Sequence, residues 1–532
     1  MKKLASMVCV LLLSVGLLAG CGGAPNDSSA APAGGTAETG PKKGGTIIVG
    51  LNGDPTTYNP DFKGDDNGFA IYQNIFNRLY KINNKQEIVP DLAESYALSS
   101  DGKELTFHLH KNVKWHDGKP FSSADVKFTY DTIIKEKGQI SGSLSSIQEI
   151  TTPDDNTVVF KLKQNDSALL GYLSWYGCFI MPKHLYEGTD WGTNPANQKP
   201  VGTGPFKFVE HQKGVSITLE RNDEYWGDVP YLDRVVFSIM SDSNTATQAL
   251  YNGQLDFLGI EPPLAEAERF MSDPQLKAGK QNWPSRFHVA FNVSEGPFAN
   301  LKLREAVAYG INRDEVIKKA LKGVGLSAKT AMTPLYQWAL NSTDVYPDRD
   351  VEKAKKLMEE AGYKADSKGM YLTATLDVFN SEPFPDIATV LKDNLKDIGI
   401  DVKINVMEGA AWDEKVWNNK NYEFTLLSGY QGPDPGGLYG RFASEGTMNI
   451  MKYSNSKLDE NLKKGAVLVK EEERAPFYKE AQKLLVADKP MVPIAEQIGV
   501  VPYQAYIMGA PTSPEAIQKT GFTEFTYVWI NK

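Results

Sequence analysis

The feature that most constrains this chain is a strand–helix–strand run in its C-terminal half. Leu372, Ala374, Leu376 and Val378 alternate with polar neighbours, the two-residue period of a half-buried strand. Ile387, Val390, Leu391, Leu395 and Ile398 follow as one helical stripe, and Gly399 is placed to stop it. Ile400, Val402, Ile404 and Val406 then alternate again. Strand, helix and strand at this spacing predict a βαβ unit, and so an α/β region on a largely parallel sheet. FTLLSGY adds a further strand. Upstream, LREAVAYG has helical spacing, and Asn312 with Glu315 predicts a capping-box start for a helix through Leu321. VEKAKKLMEEAGY is another helix, with Gly362 as its stop.

The chain before about residue 240 has a different texture. Ile47 to Leu51 reads as a buried strand ending in a Gly-Asp-Pro turn. Leu105, Phe107 and Leu109 alternate with Thr106, His108 and His110, which puts the histidines on the polar face of a half-buried strand. Val158 to Leu162 and Ser216 to Leu219 read the same way. From about Val500 the pattern returns to strands and turns. A chain that crosses more than once between two regions makes a hinge, and a cleft between lobes is a favoured ligand position.

The N-terminus carries an address. Lys2 and Lys3 precede an apolar stretch, Leu4 to Leu18, too short for an ordinary membrane span. It ends in LLAGC, which resembles a bacterial lipobox, a signal cleaved before a cysteine that then receives lipid. That cysteine is Cys21. Residues 1–20 are thus expected to be a leader and 21–43, rich in Gly, Ala, Ser and Pro, a flexible tether. Cys9 leaves with the leader, so Cys178 alone remains and no internal disulfide is possible. In the apolar run WYGCFIM it reads as a buried small hydrophobe. Nearly five hundred residues must then fold on core size alone, which predicts more than one domain. The net charge of −9, without any basic block, argues against nucleic acid as a partner.

HKNVKWHDGKPFSSADVKF, from His110 to Phe128, holds enough polar groups to suggest chemistry. The histidines are six apart, with no helix to bring them together as in HExxH. Asp117-Gly118 is a turn, Ser122-x-x-Asp125 a capping box, and Val126, Tyr130, Ile133 and Ile134 an apolar helix face. Each polar residue has local structural work. GxSxG, the P-loop and CxxC are all missing from the sequence, and His184, His211 and His288 stand isolated in it.

PDLAESYALSSDGKELTFHLHKNVKWHDGKPFSSADVKFTYDTI resembles the hallmark segment of the family-5 extracellular solute-binding proteins. These are the oligopeptide-, dipeptide- and nickel-binding components of ABC importers. The likeness continues, in the family's order, through VGTGPFKF, RNDEYWGDVPYLDRVVF, PFANLKLREAVAYGINRDEVI, VEKAKKLMEEAGY, LKDIGIDVKI and YSNSKLDENL. It implies an α/β, two-lobed periplasmic-binding-protein-like fold (type II, cluster C), with an extra subdomain in lobe I and a hinged ligand cleft. The implied division is lobe I core at 44–80 and 203–289, its extra subdomain at 81–202, lobe II at 290–498, and a return to lobe I at 499–532. The implied role is capture without bond making, by a monomer needing no cofactor. It would be anchored through Cys21 on the extracellular or periplasmic side and would deliver to a permease with paired ATPases. Peptides are the expected ligands. Oligosaccharides, opines, nickel chelates and haem are the alternatives within the family, and a chaperone or sensory lipoprotein the alternative outside transport.

Peptide binders of that family hold the ligand amine with an aspartate in a loop after a lobe II strand. Here the loop is SGYQGPDPGGLYGRF, and Asp434 is its only carboxylate. The loop is shorter than the family's, which puts Gln431 or Tyr430 at the aspartate's place, while Asp434 also suits an ordinary Pro-Asp-Pro turn. Trp412 matches a tryptophan that lines the family's ligand pocket, with helix packing as the alternative. Tyr58 and Asn292 occupy expected cleft positions, and Arg441 would pair a ligand carboxylate or a surface acid.

Overall fold

In the computed structural model, which describes residues 40–429 and 431–532, the alternating residues become the strand Leu372–Phe379. It pairs in parallel with Ile400–Met407, Leu372 opposite Ile400 and Val378 opposite Val406. The connecting helix Phe384–Asp397 buries Ile387, Val390, Leu391 and Leu395, the stripe read from the sequence. Gly399 has φ +83°, and a Cβ there would stand 2.4 Å from the Tyr371 ring, so the helix stop needs glycine on both counts. Asn312 caps the helix Arg313–Lys319 by accepting from Glu315 N. The reciprocal arm of the expected capping box is missing, because the Glu315 carboxylate bonds Lys319 and Asn394 instead.

The main sheet runs in the order Ile400–Met407, Leu372–Phe379, Phe424–Leu427, Leu276–Phe291, Met491–Gln504, Phe257–Leu258, Thr46–Leu51, Arg234–Ile239, Ser216–Arg221 and Phe206–Gln212. It is mixed rather than largely parallel. Phe424–Leu427 is parallel to Leu372–Phe379 but antiparallel to Leu276–Phe291, which in turn runs antiparallel to Met491–Gln504. A separate four-stranded antiparallel sheet holds Ala93–Leu98, Glu104–Leu109, Thr157–Leu162 and Ile147–Asp154. In it Leu105, Phe107 and Leu109 are buried while His108 is exposed, as the alternation requires.

Two large apolar cores lie along the main sheet. One draws on residues from Ile47 to Phe257 and again from Val501 to Val528. The other draws on residues from Phe287 to Ala495. The long strand Met491–Gln504 passes from one to the other, paired along its length with Leu276–Phe291, which enters the second core at Phe287. Their register breaks midway: Asn282 faces Ile498 and Arg286 faces Glu496, so Trp283, Pro284 and Ser285 share the single partner position Gln497. Pro284 has no N–H to give the ladder, and a bulge is the cheapest place to put it. Beside the bulge Arg286, fully buried, pairs with Glu496 and donates to Thr330 O.

The histidine-rich stretch is structural. His116 accepts from Gly202 N at 3.2 Å through Nδ1 and donates to Gly204 O at 3.0 Å through Nε2, which fixes the neutral tautomer. Ser122 N donates to Asp125 at 2.9 Å, capping the helix Ser123–Lys135, and the other Asp125 oxygen accepts from Lys183 N. His110 packs on Trp226. Cys178 is buried.

Candidate functional site

The bulge decides where the molecule is hollow. A cavity of 420 Å³ is lined by Trp283, Ser285 and Gln497 of the two long strands and by Phe69, Trp175 and Phe522. Asp66 and Glu261 supply its carboxylates. A second cavity, of 220 Å³, shares Glu261 and Gln497 with the first and continues to Phe287, Glu382 and Pro383. A third, of 630 Å³, lies among Phe379, Phe384, Trp412, Trp417 and Leu426. Ring contacts join the last two: Phe287 meets Phe384 at 5.8 Å between centroids, Phe384 meets Phe379 at 6.2 Å, and Phe379 meets Trp412 at 6.2 Å. The hollow therefore has walls from both cores and an aromatic floor, an arrangement suited to varied apolar groups.

A hydrogen-bond chain crosses it. Gly429 N donates to Ser285 Oγ at 3.1 Å, Ser285 Oγ donates to Gln497 Oε1 at 2.9 Å, and Gln497 Nε2 faces Glu261 Oε1 at 3.4 Å. The carboxylate can only accept, so it meets the Nε2 end of the Gln497 amide and leaves Oε1 to accept from the serine. Burial, reinforced by the charge of Asp66, holds the Glu261 carboxyl above its usual range. Burial and Asp65 do the same for Asp66. Neither of the two cavities that meet at Glu261 is lined by histidine, cysteine, lysine or arginine. These groups can hold a ligand, and the Ser285 hydroxyl gives its hydrogen to Gln497 Oε1.

Of the residues singled out in the sequence, Trp412 lines a cavity, with its indole Nε1 3.3 Å from Thr425 Oγ1. Asp434 lines none of the three. Its carboxylate caps the turn at Pro435–Gly437 through Gly436 N at 2.7 Å and pairs with Arg474 at 2.6 Å. Burial raises this carboxyl, and Arg474 opposes the rise. Pro433 beside it presses on Gly171, where a Cβ would stand 2.8 Å away. The turn reading of Pro-Asp-Pro accounts for this residue, because its charge is consumed within the frame.

Gln431 also serves the frame. Its N–H donates to Pro284 O at 2.7 Å and its side chain accepts from Thr333 N at 2.8 Å, fastening the loop to the bulge. Tyr58 is 2% exposed and packs on Phe208 and His211, so it is core rather than cleft. Asn292, 1% exposed, is spent on Glu295, Lys420 O and Ser294. Arg441 lies against Gly429, and its charge adds to burial in keeping His288 neutral. Tyr430 and Cys21 lie outside the described residues. The sequence reading missed Glu261, Gln497, Trp283 and Ser285. One signal was available: Pro284 inside a strand-like run, which marks a bulge.

Comparison with known proteins places this geometry. Residues 87–449 match the model of bacterial extracellular solute-binding proteins, family 5 Middle. The oligopeptide-binding protein AppA of Bacillus subtilis is 28% identical over 509 residues, 92% of each chain. Heme-binding protein A of Haemophilus influenzae is 28% identical over 480 residues, covering 84% of this chain and 86% of that one. The crystal structure of the ABC transporter substrate-binding protein CtaP from Listeria monocytogenes superposes with a TM-score of 0.84 at 26% identity, over 92% of this chain and 100% of that chain. With a family model matched over more than half its length, the chain belongs to the family-5 bacterial extracellular solute-binding proteins.

Proposed function

We propose that this protein captures peptides in the hollow at the strand crossing and hands them to an ABC permease driven by paired ATPases. It does so as a monomer without cofactor, held at the outer face of the membrane by lipid on Cys21, and it makes no bond in its ligand. The observation that carries this reading is a set of aromatic-walled cavities built from both cores around two crossing strands. On this reading lobe I comprises 44–80, 81–202, 203–289 and 499–532, and lobe II comprises 290–498. The ligand holds the lobes together only if it binds the closed form better than the open one. The oligopeptide-binding relative supports the ligand class. Haem and nickel chelates have less support, because among the described residues neither cavity that meets at Glu261 offers a histidine, cysteine or methionine to ligate the metal.

Native mass spectrometry of the purified protein, followed by denaturing release, tests the reading. A ladder of peptide masses is expected. One discrete non-peptide mass would overturn it.

A further inference from the structure

Asp434, the loop carboxylate that family resemblance marks for an amine, is paired to Arg474 and capped onto Gly436. The carboxylates that do face the hollow come from elsewhere. Glu261 lines both cavities that meet at the bulge, Asp66 lines the larger, and Glu382 lines the smaller. No basic side chain lines either cavity to neutralise them.

We propose that the hollow selects ligands carrying a cationic nitrogen, and that Glu261, oriented by Gln497, is the residue that receives it. This rests on the peptide-capture reading above and assigns the group by which that site holds its ligand.

Three independent observations converge. Glu261 is exposed to solvent although protein surrounds it on most sides, the condition of a carboxylate facing a cavity. Its partner Gln497 is the single residue opposite the three-residue bulge, and the Gly429–Ser285–Gln497 chain fixes its amide. Phe69, Trp175, Trp283 and Phe522 line the same cavity as the acids, and aromatic surroundings of this kind favour a cation, as the Arg78 guanidinium 5.8 Å from the Phe69 ring already shows. An anionic ligand group would meet two carboxylates with nothing to offset them, and a neutral one would leave them unpaired on closure.

Two ligand sources share this chemistry, the α-ammonium of a peptide and a basic side chain, and a titration separates them. Trialanine amide, N-acetyl-trialanine amide and N-acetyl-Ala-Arg-Ala amide are titrated calorimetrically into the full chain and into Glu261→Gln. A loss of tenfold or more on acetylating trialanine amide, abolished by Glu261→Gln, identifies the ammonium. A gain of tenfold or more from the internal arginine, likewise abolished, identifies the side chain. A preference for charge that survives Glu261→Gln overturns the residue assignment. Equal binding of all three overturns the inference and leaves peptide capture standing. If none of the three binds, peptide capture falls and this inference with it.

Discussion

Two acidic sites are tied to the same bulge, the loop of Asp434 through Gln431 and Glu261 through Gln497, and their fates are opposite. At the loop 431–437, Asp434 is almost enclosed, and its Oδ1 accepts from both the Arg474 guanidinium and Gly436 N. At the cavity wall, Glu261 keeps one weak contact with Gln497 and otherwise faces open space. A carboxylate in a loop is thus no guide to its use. What decides is whether a cation of the protein already occupies it. A buried pair holds the frame, whereas a carboxylate on a cavity wall is left for something that arrives.

The contrast is broken most severely at Arg474. Arg474→Met leaves Asp434 buried and unpaired, with an expected loss of about 3–5 kcal/mol of stability. Chemical denaturation measures it, and a loss below 1 kcal/mol would mean that the pair is not the clamp described. His116 gives the next effect. Burial lowers its pKa to about 4, against about 6.5 when unfolded, so it folds neutral and unfolds ready to take a proton. Its contribution is complete above about pH 6.5 and is lost as pH falls toward 4, at about 1.4 kcal/mol per pH unit. Buried carboxyls such as Asp61, raised by desolvation, oppose that slope. The quantity to measure is therefore the difference in slope between the wild type and His116→Gln, and parallel slopes would refute the assignment.

Asp125→Ala strips the bonds to Ser122 N and Lys183 N, and about 2 kcal/mol of lost stability is expected by thermal denaturation. Glu261→Gln marks the other end of the scale. As a cavity-facing group it should shift stability by no more than about 0.5 kcal/mol while changing ligand preference. A large fall in melting temperature would place Glu261 with the frame and erase the comparison.

Much of the fold was legible from local rules. The stripe Ile387–Leu395, the stop at Gly399 and the alternation at Leu105–Leu109 depend only on period and on backbone freedom, and those are properties of short segments. The same logic cleared the histidine-rich stretch of catalysis, since turn, cap and helix face were all local. Strand partners were less legible. A parallel neighbour was inferred for the α/β region, but Phe424–Leu427 pairs antiparallel with a strand more than a hundred residues earlier, and no local pattern encodes that. The site was least legible. Tyr58, Asn292, Asp434 and Trp412 carry the same residue types that line ligand pockets, and what separated them was the neighbours each one met: ring packing for Tyr58, hydrogen bonds for Asn292, Arg474 for Asp434 and a cavity for Trp412.

By itself the sequence determined the period of many elements, the turns and caps between them and the family resemblance. Each depends on residues close together in the chain or on their order. Only the tertiary structure decided that three residues stand opposite Gln497, that Arg474 reaches Asp434 across forty residues, and that Glu261 is left facing the hollow. Charge pairing and cavity walls arise from segments that meet only when the two cores close on the crossing strands. A carboxylate's use is set by what lies within a few ångströms of it, whatever its place in the sequence.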